Sequence, residues 1–147
     1  MKTTLLAMIA CLASACTAPG EPPAHPSQGD YQDLLRRETD KTQSSLATMH
    51  QSLSLILGGK MTRNYAAVVS HHSAADLTSV ATDLAQIEAP TARQAQAQDE
   101  LRALSQRQAT LIDSVDSHWG DATALQQLAN QIDSAANHAQ QLSKQLD

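Results

Sequence analysis

The sequence predicts an all-α protein, an up-down-up-down four-helix bundle carried behind a short leader and a proline-rich tether. Three observations lead there. Glycine and proline gather at a few joints, the stretches between joints are closely matched in length, and most of those stretches repeat apolar residues at alternating steps of three and four. Pro19, Pro22, Pro23 and Pro26 all precede Gly29, while Pro90, the Gly58 and Gly59 pair, and Gly120 with Asp121 mark three later joints. Between them lie residues 30–57, 61–89, 91–118 and 121–146, each roughly 40 Å long as a helix at about 1.5 Å per residue. Connections this short require each helix to fold back beside the one before it.

The leader comes first. Lys2 supplies a positive start, Leu5 to Leu12 an apolar segment, and Ala13-Ser14-Ala15 small residues at a cut before Cys16. Such a segment is too short for a bilayer that asks for about twenty residues. Ala13-Ser14-Ala15-Cys16 resembles the lipobox of bacterial lipoprotein signal peptides, which implies removal of 1–15 and a diacylglycerol on the Cys16 sulfur. The same residues also read as an ordinary secretory A-x-A site; both readings cut before Cys16 and differ only in whether its thiol stays free. With lipid, two or three acyl chains at about 0.8 kcal/mol per buried methylene give durable anchoring. The expected location is extracytoplasmic, on the cell membrane, or on the outer membrane in a Gram-negative cell, since Thr17 is not the aspartate of inner-membrane retention. Residues 16–29 then form a lipidated cysteine and linker, extended as polyproline, reaching on the order of 40 Å at about 3.1 Å per residue.

Residues 30–147 form the bundle. In the first stretch Leu35, Thr39, Thr42, Leu46, Met49, Leu53 and Ile56 define a seam; in the fourth, Leu125, Leu128, Ile132, Ala135, Ala139, Leu142 and Leu146 repeat it. The third contributes Ala97, Leu101, Leu104, Gln108, Leu111 and Val115. The second is less regular, with Tyr65, Val68, Val69, Leu77, Val80, Leu84 and Ile87 spread over a wider arc. Asp30 and Asp121 are expected to cap helix starts, Thr91 with Gln94 fits a capping box after Pro90, and Gly58 suits a left-handed helix end.

Composition narrows function. Fifteen acidic against ten basic residues give a net charge of −5, which disfavours nucleic acid and polybasic lipid contact. Removal of Cys11 and commitment of Cys16 to lipid leave no thiol for a disulfide. The chain has no Phe, one Trp and two Tyr, so its seams are slim and offer few walls for a drug-sized apolar ligand. Trp119 reads either as an exposed contact or as an apolar plug over the bundle end. Arg36-Arg37-Glu38 with Asp40-Lys41 reads as a docking patch or as a solvated, salt-bridged face.

The constellation nearest to chemistry lies on the second helix. His72 and Asp76 are one turn apart inside the arc bounded by Val68 and Leu77, next to His71 and ahead of Asp83. An imidazole and a carboxylate at this spacing suit zinc or copper, with His50 or His138 completing the set; alternatively they form one hydrogen-bonded pair that fixes helix register. No Glu has a His three residues later, which excludes the usual di-iron bundle site. No Gly-x-Ser-x-Gly, phosphate loop, His-Glu-x-x-His or paired cysteine motif occurs, so no enzyme activity and no cofactor are expected.

Arg36-Arg37-Glu38-Thr39-Asp40-Lys41, Tyr65-Ala66-Ala67-Val68-Val69-Ser70 and Ala89-Pro90 are similar in order and spacing to small exported helical lipoproteins of actinobacteria. The likeness covers the first two helices. It implies an exported helical fold with no assigned activity and no site residue beyond Cys16. The expected function is therefore a membrane-anchored, non-enzymatic interaction or envelope-structural module, partnered by the lipid surface and by a protein; the alternative is a zinc- or copper-binding lipoprotein using His72 and Asp76.

Overall fold

A computed structural model describes residues 27–146, apart from the side chain of Leu146. The leader, most of the tether and Cys16 lie outside the described residues. Four α-helices follow in order: α1 (Gln28–Leu57), α2 (Arg63–Ala85), α3 (Ala92–Asp113) and α4 (Ala122–Leu146), with a short 3-10 turn at Val115–His118 between the last two. Among the described residues there is no strand.

Helix α1 starts earlier than expected, because Ser27 and not Asp30 is the cap. The Ser27 hydroxyl accepts from the Asp30 amide at 3.2 Å and the Asp30 carboxylate accepts from the Ser27 amide at 3.3 Å, a reciprocal capping box. At the other end Gly58 has φ −79°, and the left-handed residue is Gly59 at φ +65°. The Lys60 amide reaches back to the Leu55 carbonyl at 2.8 Å and the Gly59 amide to Ile56 at 3.0 Å. That pairing closes the helix as a Schellman motif, one residue later than the sequence suggested.

Helix α2 is shorter at both ends than 61–89. Thr62 caps its start, accepting from the Tyr65 amide. A side chain of α3 takes one carbonyl of its last turn and one just beyond it: Gln98 Nε2 donates to Leu84 O and to Ile87 O, the latter at 2.8 Å. With those carbonyls satisfied and Pro90 forcing Ala89 away from helical angles, the chain turns early. Thr91 and Asp121 cap α3 and α4 as expected, accepting from the Gln94 amide at 3.3 Å and the Ala124 amide at 2.9 Å. Helix α3 stops at Asp113 and tightens into the 3-10 turn, where Ser114 and Ser117 hydroxyls each donate back to a carbonyl three residues earlier at 2.6 Å.

Every expected α1 seam residue is buried, and so are Leu125, Leu128, Ile132, Ala135, Ala139 and Leu142 of α4. Helix α1 packs chiefly on α4 and then on α2, and α2 chiefly on α3; α3 and α4 meet much less. Threonine serves as core filler because its hydroxyl bonds within its own helix: Thr39 to Leu35 O at 2.7 Å and Thr42 to Glu38 O at 2.8 Å. The Thr42 and Ser105 hydroxyls also meet at 3.3 Å between α1 and α3.

On α2 the buried face differs from the expected arc. It consists of Ala66, Ser70, Ser73, Ala74, Leu77, Val80, Ala81 and Leu84, whereas Tyr65 and Val68 are 60% and 54% exposed. Small residues, which let neighbouring backbones approach closely, occupy the inner side of its first half. Large apolar residues lie outside.

Candidate functional site

The rotation of α2 carries His72 and Asp76 outward. Both are exposed, which corrects their placement inside the apolar arc, and they are not the buried register-fixing pair. They line a shallow groove with Ser44, Ser45 and Thr48 of α1 and Ser73 of α2. The His71 and His72 rings stand 6.3 Å apart, tilted by 58°.

The two histidines expected to complete this set turn elsewhere. His50 Nδ1 lies 3.7 Å from Asp133 Oδ1 on α4, and His138 borders a separate open depression with Asp133 and Asn137. Among the described residues no group of three or more His, Cys, Asp or Glu side chains is placed to hold a metal ion. The half-exposed His50 and Asp133 pair is worth at most about 1 kcal/mol.

The charge run on α1 is divided by the fold. Arg36, Arg37 and Asp40 are exposed, but Glu38 is only 3% exposed, which corrects its reading as part of a solvated face. Its Oε1 accepts from Arg37 Nε at 3.2 Å and its Oε2 has no hydrogen-bond partner among the described residues. Lys41 crosses to α2, donating to Ser79 Oγ at 3.2 Å, and Ser79 donates to Asp83 at 3.2 Å.

Arg63, at the start of α2, holds Asp116 in the 3-10 turn through Nε to Oδ1 at 2.7 Å and Nη2 to Oδ2 at 3.0 Å. These hydrogen bonds hold the Asp116 carboxyl below the ordinary carboxylate range and raise the Arg63 guanidinium. Trp119 is partly buried against the core and lies with Ile56, Leu57 and Leu125, the plug arrangement rather than a free contact.

One cleft escaped the sequence reading. About 360 Å³ in volume, it opens where α1 begins, α3 begins and α4 ends, and glutamines dominate its walls: Gln28, Gln32, Gln94, Gln96 and Gln145, with Arg93 and Glu100. The signal for it was Gln94 and Gln98, two polar residues one turn apart on the inward stripe of α3 that continues through Leu101 and Leu104. Gln94 departs from the simple capping box, since its Oε1 accepts from the Thr91 hydroxyl at 2.9 Å. Its Nε2 is buried and has no hydrogen-bond partner among the described residues.

No family model matches the chain, and neither a curated protein nor a solved structure matches it.

Proposed function

We propose that the chain is an extracytoplasmic lipoprotein, held on a membrane by acyl chains on Cys16, whose helical body acts as a non-enzymatic interaction or envelope-structural module. The observation that carries this reading is Ala13-Ser14-Ala15-Cys16 following the apolar run from Leu5 to Leu12. Among the described residues no helix is long and apolar enough to cross a membrane, so in this reading the lipid alone supplies the anchor. The polar outer faces of the helices are the surface offered to a protein partner.

The body follows an up-down-up-down order in this proposal. Short connections favour it, and so do bonds between helix ends. Tyr31 near the start of α1 donates to Gln98 near the start of α3, and Gln98 donates to carbonyls at the end of α2. Arg63 at the start of α2 grips Asp116 just beyond α3.

Intact-mass measurement on protein extracted from its native membrane tests the anchor: the mass of residues 16–147 plus acyl groups supports it, and an unmodified Cys16 amino terminus refutes it. Crosslinking in intact membranes followed by affinity recovery tests the role, and the absence of any reproducible partner counts against it. Zinc or copper binding by His72 and Asp76 would rest on two donors one turn apart. Calorimetry with each metal is expected to show no submillimolar binding, and tight binding abolished by His72→Ala would overturn the module reading.

A further inference from the structure

We propose that the glutamine-walled cleft between the starts of α1 and α3 and the end of α4 binds a short peptide of about three residues, lying extended along α3 with its carboxylate at Arg93 and its ammonium at Glu100. This inference is independent of the lipid anchor.

Four observations converge on it. The cleft, about 360 Å³, is at the small end of ligand sites, which run from about 300 to 1,000 Å³. It opens between α3 and α4, helices that pack on each other only sparingly. Gln94, 8% exposed, has its Oε1 occupied by the Thr91 hydroxyl and its buried Nε2 without an acceptor among the described residues. A buried amide donor left unpaired costs about 1–3 kcal/mol, so an oxygen that reached it would remove that penalty. The remaining rim is made of exposed glutamine arms, Gln28 and Gln32 on α1 among them, which can swing to admit such an oxygen.

Charge sets the direction of the ligand. At the first turn of α3 the Thr91 hydroxyl already takes the Gln94 amide, so the anion is drawn by the positive end of the helix dipole and by the Arg93 guanidinium on the same turn. Glu100 lies two turns farther along the same wall, where its Oε1 already accepts from Gln96 Nε2 at 3.0 Å. Seven residues of helix separate the two charges, about 10 Å along the axis at about 1.5 Å per residue. An extended peptide advances about 3.3–3.6 Å per residue, so three residues span that gap. Between the ends, each primary amide of glutamine has one donor and one acceptor side to set against a peptide unit.

The test uses the full chain and trialanine, followed by calorimetry and by amide chemical shifts. Trialanine is expected to bind in the submillimolar range and to shift amides of α3's first two turns. Trialanine amide, N-acetyl-trialanine, Arg93→Ala and Glu100→Gln are each expected to weaken binding about tenfold. Gln94→Leu is expected to do the same with unchanged helical circular dichroism; if it unfolds the chain, the exposed Arg93→Ala decides. No binding at millimolar trialanine overturns the proposal. So does equal binding of the free acid and its amide, which shows that no carboxylate is read, or equal binding of acetate and the peptide, which marks a nonspecific anion contact only.

Discussion

Tyr31 is wholly buried at the start of α1, and its hydroxyl donates to the Gln98 side chain, which donates onward to the end of α2. Burial, with a smaller contribution from Asp99, pushes this phenol up to about 12. A folded value above the unfolded one means that the stability from the neutral phenol is complete below about 10 and is lost as pH rises toward about 12. Chemical denaturation across that alkaline window should show the loss, and Tyr31→Phe should abolish this part of the pH dependence. The same substitution leaves the Gln98 oxygen without its donor and is expected to cost about 1–3 kcal/mol by urea denaturation at neutral pH. Local chemistry of this kind was partly legible beforehand: Thr91 and Asp121 announce caps because a short oxygen before a helix has few other uses. Glu38 was not legible, since a mixed charge run does not say which member turns inward. Nor was the role of Gln94, whose side-chain donor lacks an acceptor among the described residues only once three helices meet around it.

Each helix is defined as much by how it ends as by what it buries. The α1 terminus depends on Gly59 at φ +65°, a conformation that costs an ordinary L-residue roughly 1–2 kcal/mol. Gly59→Ala should lower stability by about that amount, with Gly59→Asn less harmful, as thermal melts of both would show. No atom of the described residues crowds a Cβ at this position, so the penalty is conformational and not steric. The sequence placed this feature on Gly58 because two adjacent glycines leave the choice to hydrogen-bond register, which only the folded chain reveals. Helix α2 illustrates a different blindness. Tyr65 and Val68 drew its apolar arc outward, yet Ala66, Ser70, Ser73 and Ala74 are what it buries. Periodicity weighs residues by hydrophobicity, whereas close packing selects them by size, and where the two disagree the sequence points the helix the wrong way. His72 and Asp76 moved to the surface for that reason. On α1 and α4 both criteria select the same residues, and the seams were read correctly from Leu35 to Ile56 and from Leu125 to Leu142.

For the whole molecule, joints and matched lengths made the four-helix, all-α character legible before any contact was known. What they could not convey is the unevenness of the packing, tight between α1 and α4 and between α2 and α3 but slack between α3 and α4. Ile132 on α4 and Leu46 on α1 are both fully buried; Ile132→Ala or Leu46→Ala is expected to cost about 2–5 kcal/mol, measured by denaturant titration. Under the proposed anchoring, Cys16→Ser should move the protein from the membrane pellet to the soluble extracytoplasmic fraction while its helical circular dichroism stays unchanged. The indole packed beside Ile56, Leu57 and Leu125 is the chain's single tryptophan. It is thus a built-in fluorophore: a red shift of its emission would signal that this corner has come apart, with no label attached.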